Sequence, residues 1–430
     1  MYIAIGGKDY AKLKALTFQP SADLMGQSVP IDGFTADIIT DDAVDIGQTA
    51  ELYDDLERLW ARYWIVSADR LTPETLRVKA ESFITLLDRQ TLNAVMYEAE
   101  PVADVLVDCF ANTGAAVGVY EYALDPALAG ATVTGFCPEQ TARARLLWVV
   151  FSIGACVRSC FSDKILIQPI DDTETLIPAG QVYWRPQVSY SDYVTAVRAK
   201  YYSFAEGTPQ TTDQWVKDGN GVTYIVTEQE MSLSNPDAPA AAPENTVSVE
   251  GVYLLNSGNV TALLSRLARL YFKRTRVELD AIDNAEYVPG DRVIARTGSD
   301  ALMSGYIESA DFAFGTQSKA RLKLIAAETV ASAGLTVAYL HEGDQLDRKE
   351  FLFPVGYVYT LPNPYFDQTW NTHRYIFRPT TEAVTGTLPA GGKSETVQYT
   401  EALDLNLQNL NLEIISVDAL TASEGIVEIA

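Results

Sequence analysis

The side chains with most to offer a reaction are few and scattered. Cys109, Cys137, Cys156 and Cys160 fall within one 52-residue window. Four thiolates can hold zinc, yet structural zinc sites are built on close Cys-x-x-Cys knuckles, and none occurs here. A zinc site, a disulfide and ordinary buried thiols remain as readings, and buried thiols ask least of the fold. The two histidines are His341, beside Glu342 and Asp344, and His373, beside Arg374. Neither belongs to a His-Glu-x-x-His or comparable ligand spacing, and both read as surface or structural residues. Gly6-Gly7-Lys8 lacks the upstream glycine and following Ser or Thr of a phosphate cradle, and no Gly-x-Ser-x-Gly elbow is present. Asp280, Asp283 and Asn284 offer oxygen ligands to calcium, but not at EF-hand spacing, and read as turn residues before Tyr287. Carboxylate pairs for glycoside hydrolysis meet only in three dimensions, and 57 acids make candidates uninformative. Tyr357, Tyr359, Tyr365, Trp370 and Tyr375 could present an aromatic platform to sugar or protein, although packing on strand faces is the commoner use. The expectation is a protein that is not an enzyme, with no catalytic residue, no cofactor and no metal.

The chain that must position these residues has 430 of them, length for about three domains. Apolar residues make up 47%, enough for buried cores, and 23 tyrosines lean the composition towards β structure. Lys plus Arg number 32 against 57 acids, a net charge of −25. Phosphate binding needs clustered cations, so stable nucleic-acid binding is disfavoured. The acids are spread in pairs such as Asp41-Asp42 and Asp54-Asp55, the pattern of a solvated surface. Residues 1–6 lack the basic start and apolar core of a secretion signal. The most apolar run, 146–157, is broken by Ser152 and Gly154 and too short to cross a bilayer. A protein made in a cytoplasm, without membrane insertion, is expected.

Periodicity gives the elements. Residues 1–97 read as mainly β, with strands at 33–39, 43–46, 62–68 and 76–80; 49–60 fit either a helix or a polar connection. Pro101 opens a short helix with Val102, Val105, Leu106, Cys109 and Phe110 at helical spacing, stopped by Asn112-Thr113-Gly114. Pro138-Glu139 start a second helix, with Ala142, Leu146, Val149, Val150 and Ile153 on one face and Gly154 at its end. A hairpin over 155–170 follows, with Cys156 and Cys160 sharing a face against that helix. Residues 98–187 thus read as a small α+β domain.

From 188 the chain is β again, with a strand-like run at 188–202 and a firm strand at 222–227. Residues 235–245 are a Pro/Ala loop, expected to be mobile and exposed. Helix 259–272 has Asn259 as N-cap and Val260, Leu263, Leu264, Leu267, Leu270 and Tyr271 as buried stripe. Its Arg266, Arg269, Lys273 and Arg274 suit the negative end of a helix dipole. Beyond 327, strands at 335–340, 351–359, 374–377, 396–400 and 403–417, the last with a phase change at Gln408-Asn409, make an all-β module.

One pattern occurs twice. Asp45-Ile46-Gly47, then YWIVSAD at 63–69, then LRVKA at 76–80 run parallel to Val288-Pro289-Gly290, GYIESAD at 305–311 and ARLKL at 320–324. The reading is a mainly β, α+β chain: a β-barrel domain at 1–97, the α+β domain at 98–187, a similar barrel at 188–327 and the C-terminal β module at 328–430.

Three segments taken in order carry a family resemblance: 101–114, a helix entered by proline; 138–170, a helix and hairpin ending ILIQPI; and 258–325, where LARLYFKRTRVELD leads through YVPGDRV to GYIES. With them the sequence resembles the baseplate and tail hub proteins of long-tailed phages and related contractile injection machines, including the N-terminal part of tail-associated lysins. The likeness stops short of 328–430 and of the loop near 236–243. It implies a homotrimer in which two barrels per chain give six near-equivalent barrels. These would face a sixfold tail tube or distal tail protein, with a central spike or fibre on the threefold side, reached through 328–430. The implied location is the tail tip of a virion or injection particle assembled in the bacterial cytoplasm. The rival reading is a secreted or surface carbohydrate-binding adhesin, which calls for a secretion signal and monomeric glycan binding by 328–430. A peptidoglycan hydrolase carried at the tip would need catalytic residues that the sequence does not display.

Overall fold

Phe34, Ala36 and Ile38 turn one way along a strand while Asp37 turns the other, the two-residue alternation that buries a single face. In the computed structural model of the chain this alternation dominates. The structure describes residues 1–111, 121–170, 174–177, 182–183, 186–282, 287–296, 302–314 and 319–330; further on it describes the backbone of strands at 335–342, 345–353, 374–379, 394–399, 412–414 and 425–429. It divides into one unit of Met1–Ile294 with Ser304–Glu328 and another of Ala295–Met303 with Thr329–Ala430.

The first unit begins with β1 (Tyr2–Ile5), β2 (Lys8–Tyr10), β3 (Leu13–Gln19), β4 (Gly33–Ile39), β5 (Thr49–Tyr53), β6 (Leu59–Thr72) and β7 (Thr75–Glu81). The helix considered over 49–60 is absent: Ala50 and Leu52 alternate inward as β5, and Asp54 accepts the Leu56 and Arg58 amides at 2.9 and 2.8 Å, turning the chain back into β6.

Next come a 3-10 helix (Phe83–Arg89), β8 (Thr91–Leu92), β9 (Val95–Pro101), α1 (Val102–Phe110), β10 (Tyr122–Leu124), β11 (Thr132–Cys137), β12 (Gln140–Thr141), α2 (Ala142–Ile153), β13 (Ala155–Arg158) and β14 (Ile165–Pro169). All five apolar residues of the first expected helix are buried in α1. The second helix starts after Thr141 and not at Pro138, because Gln140–Thr141 pairs with β8 and the Thr141 hydroxyl accepts the Ala144 amide at 3.2 Å. Val105, Leu106 and Cys109 pack with Leu146, Val149 and Val150 in one core, each large side chain contributing about 1.5–3 kcal/mol by leaving water.

After β15 (Glu174–Leu176) and β16 (Gln187–Tyr190) the chain leaves for a separate sheet of β17 (Ala196–Glu206), β18 (Trp215–Lys217), β19 (Thr223–Ser234) and β20 (Thr246–Val249), ordered β18-β19-β17-β20. The run 188–202 is therefore two strands, broken where the Thr195 amide turns to the Asn245 carbonyl at 2.8 Å. Loop 235–245 is held at both ends, Asn235 Nδ2 donating to the Val194 carbonyl and Asn245 Nδ2 to that of Tyr193. α3 (Val260–Tyr271) packs Leu263, Leu264 and Leu267 onto Val197 and Ala199 of β17. Asn259 makes no side-chain cap; its Oδ1 accepts the Asn256 amide at 2.9 Å instead.

The chain returns through β21 (Thr275–Ala281), β22 (Arg292–Arg296), β23 (Leu302–Phe314) and β24 (Lys319–Thr329). The large sheet runs β16-β21-β24-β23-β3-β4-β7-β6-β5-β1-β2, with β22 beside β23 and β15 beside β22. Two sets of six strands share one order in this sheet: β1-β5-β6-β7-β4-β3 and β15-β22-β23-β24-β21-β16. In chain order both read first, fourth, fifth, sixth, third, second. They differ at the far strand, β1 meeting β5 antiparallel and β15 meeting β22 parallel. The sets join where the end of β23 pairs with β3. The fold is α+β and mainly β.

The second unit contains a sheet of β25 (Leu335–Glu342), β26 (Gln345–Phe353), β27 (Arg374–Pro379), β28 (Ser394–Tyr399), β29 (Leu412–Ile414) and β30 (Gly425–Ile429), ordered β28-β25-β26-β27-β30-β29. β26 and β27 pair in parallel. β30 had no counterpart in the sequence reading, and the phase change at Gln408-Asn409 lies outside the described residues.

Candidate functional site

The residues weighed for chemistry are dispersed. Among the described residues no three His, Cys, Asp or Glu side chains gather as metal ligands. The four cysteines are free and buried. Burial pushes the Cys109 thiol up to about 12 and Cys156 to about 11, so both stay protonated at neutral pH. Cys156 and Cys160 do not share a packing face against α2. On β13, Ala155 and Val157 take the side towards α2, which sends Cys156 to the opposite side with Ala22, Leu24 and Leu270. Cys160 lies beyond β13, in a bridge to Ala61.

Gly6 and Gly7 form the hairpin turn between β1 and β2, and Lys8 is engaged by Asp42. Asp280 is a residue of β21 and not of a turn. His341 falls on β25 and Tyr375 on β27. His373, Asp283, Asn284, Tyr357, Tyr359, Tyr365 and Trp370 lie outside the described residues.

What the chain builds instead is one constellation, twice. Gly47 donates to the Ile65 carbonyl at 2.8 Å and Ile65 returns a bond to Gln48 at 2.9 Å. Gly290 donates to Ile307 at 2.8 Å and Ile307 returns one to Asp291 at 2.9 Å. Both glycines sit at positive φ, +92° and +97°, where a side chain is strained. One register further on, Arg77 grips Asp37 through Nε and Nη2 at 2.7 and 2.9 Å, directly across β4 and β7. Arg321 grips Asp280 through the same two nitrogens at 2.8 and 3.2 Å, directly across β21 and β24. The arginine hydrogen bonds hold both carboxyls below their usual range.

The seam between the sets is the other feature. Phe312, Ala313 and Phe314 of β23 pair antiparallel with Phe18, Thr17 and Leu16 of β3. The pairing continues past the strand ends: Ala310 donates to the Pro20 carbonyl at 3.1 Å, Ala22 to that of Glu308 at 2.9 Å, and Gln19 Nε2 reaches Asp311 at 3.3 Å. Trp60 and Phe161 meet Phe312 edge-on, and Trp60 Nε1 is satisfied by Asp54 at 3.2 Å.

Three polar groups, one buried and two partly buried, have partners that the sequence reading did not anticipate. Asp32 is 1% exposed and accepts the Ser21 amide at 2.8 Å and the Ser159 hydroxyl at 2.7 Å; burial pushes it up to about 6. Arg292 meets Glu174 at 3.2 Å and Glu328 at 2.6 Å, tying β15 to the second set. Arg266 does not serve the dipole end of α3. Its Nη2 donates to the Phe151 carbonyl at 3.1 Å and its guanidinium lies 5.1 Å from that ring, with burial lowering it to about 10. No spacing rule marks these residues, because their partners are more than 35 positions away or in loops. The arrangement fixes two like surfaces in one sheet; among the described residues it offers no activated nucleophile.

No protein-family model matches the sequence, and no curated protein matches it. Solved structures do match in fold. A tail protein from Neisseria meningitidis MC58 aligns with a TM-score of 0.51 at 13% identity, over 75% of this chain and 95% of that one. The 43 kDa tail protein of prophage MuSo2 from Shewanella oneidensis gives 0.51 at 11%, over 76% and 99%. Prophage tail protein gp18 from Listeria monocytogenes EGD-e gives 0.50 at 10%, over 75% and 93%. With its twin six-strand sets and their seam, the chain has the fold of phage tail proteins.

Proposed function

We propose that the chain is a structural subunit of a phage tail or phage-tail-like injection particle: a homotrimeric hub, without turnover, that joins a sixfold tail tube or distal tail protein to a threefold spike or fibre. The observation that carries this reading is the six-strand order present twice in one chain. Three chains then offer six like surfaces to a sixfold partner and three to a threefold one, which is how a closed ring can match two symmetries. The proposed division follows the repeat: 1–97 as the first copy, 98–187 between, 188–327 as the second and 328–430 as the part that meets the spike or fibre. β15, from the end of 98–187, joins the second copy. The tail proteins that share the fold support a place in a tail; the tip, and assembly in the bacterial cytoplasm, are part of the proposal. The charge of −25 fits a ring whose wall repels passing DNA.

The test is the mass of the full chain in solution together with a reconstruction of the particle. A species of three times 47.1 kDa, found at the end of the tube, is expected. A lone 47.1 kDa chain that binds glycan through 328–430 overturns the hub in favour of the adhesin.

A further inference from the structure

We infer that one copy of the chain joins the next by repeating, between molecules, the seam it makes within itself: β16 of one copy pairs antiparallel with residues 66–72 of β6 in its neighbour. This rests on the trimer proposed above and names its contact surface. The twin ion pairs set the equivalence. With Asp37 matched to Asp280 and Arg77 to Arg321, the registers match Phe18 to Val188 and Thr17 to Gln187 on one edge. On the other edge the shared Ser-Ala-Asp matches Phe312 to Arg70 and Ala313 to Leu71.

Every part covered at the internal seam is open at its counterpart. β3 lies between β4 and β23, whereas among the described residues β16 ends the sheet with all four of its residues exposed, Val188 at 36% and Tyr190 at 66%. Phe18 and Phe312 are buried, whereas Arg70 and Leu71 are exposed, Leu71 at 47%. β5 pairs with β6 only as far as Trp64, and among the described residues no strand lies on that flank of 66–72. An edge of this kind is a template for another chain.

Trp64, Gly47, Ile46, Val66 and Arg89 line a cleft of about 570 Å³ in the first set. At the matching place in the second set, beside Tyr306 and Gly290, the space is filled by Ala22 and Leu24, which follow β3. Polar groups also agree: Gln19 reaches Asp311 inside the chain, and the matching Ser189, with exposed Arg276 on the strand beside it, would face Asp69. The contact is heterologous, so it builds no two-fold pair, and with a rotation of one third of a turn between copies it closes the proposed trimer ring.

The test is a full-chain variant with Leu71→Cys and Gln187→Cys. Directly opposed residues in an antiparallel pair lie about 4.5–5.5 Å apart at Cα, within disulfide reach. Under mild oxidation the double variant should give covalent dimers and trimers and no larger ladder, while each single variant stays uncrosslinked. As a second arm, Leu71→Lys, at an exposed position, should convert the threefold mass to 47.1 kDa with unchanged circular dichroism. A parent trimer that neither crosslinks at 71 and 187 nor responds to Leu71→Lys overturns this seam and leaves the hub standing. A parent chain that stays monomeric at every concentration overturns both.

Discussion

Phe18 stacks on Phe312 with ring centroids 5.8 Å apart and planes 21° from parallel, and both rings are fully buried. This contact fastens the first six-strand set to the second, so its loss should be felt as global stability. Phe312→Ala is expected to cost about 3–5 kcal/mol in urea unfolding, the usual range for deleting a buried aromatic. Phe314→Ala, at a half-buried ring two positions on, should cost clearly less.

The two Asp–Arg pairs should behave alike. Both arginines are about half exposed, so Arg77→Ala and Arg321→Ala should each cause only a small and similar loss of stability at neutral pH. Asp37 and Asp280 have lowered pKa values, so their contribution is present above the usual carboxylate range. It is lost as pH falls through their folded values. Each variant should therefore lose less stability than the parent on acidification, which thermal melts between neutral and strongly acid pH will show.

Asp32 should run the other way. Its folded value of about 6 stands above the ordinary 3.8, so the folded chain holds this proton more tightly than the unfolded one. Its effect favours folding below the ordinary value and is lost as pH rises through 6. The two-unit gap corresponds to about 3 kcal/mol. Asp32→Asn keeps acceptors and donors for Ser21 and Ser159 while removing the charge. The expected result is a flatter stability profile between pH 4 and 7, read by denaturant titration at several pH values.

Gly47→Ala and Gly290→Ala should destabilise to a similar degree, on the order of 1–2 kcal/mol, because both need positive φ and neither meets a close clash. A large difference between them in matched unfolding curves would show that the two turns are not the same device.

The repeat was legible because it is local. Isoleucine, Ser-Ala-Asp and an alternating Arg-x-Lys stretch are short-range signals, and the structure turns them into the paired Gly47–Ile65 and Gly290–Ile307 bonds. α1 and the end of α2 were legible for the same reason: helical spacing and Gly154 act within a few residues. The seam was not legible. Phe18 and Phe312 are separated by most of the first unit, and nothing in a strand of alternating apolar residues says which distant edge it will meet. Strand β5 was missed because its acidic face resembles a solvated helix, and the Asn259 cap failed because Asn256 offered a nearer partner. Arg266 was misplaced by a dipole rule that holds for exposed cations, whereas this one stacks on Phe151.

Ser191 and Arg274 exchange two hydrogen bonds of 2.9 Å where the chain departs for the β17–β20 sheet and α3 and where it comes back. The excursion thus begins and ends at neighbouring backbone positions, like a plug with both prongs in one socket. A lineage can lengthen, trim or exchange that cargo without rethreading the sheet beneath, and the same doorway would admit a foreign domain whose termini emerge a hydrogen bond apart.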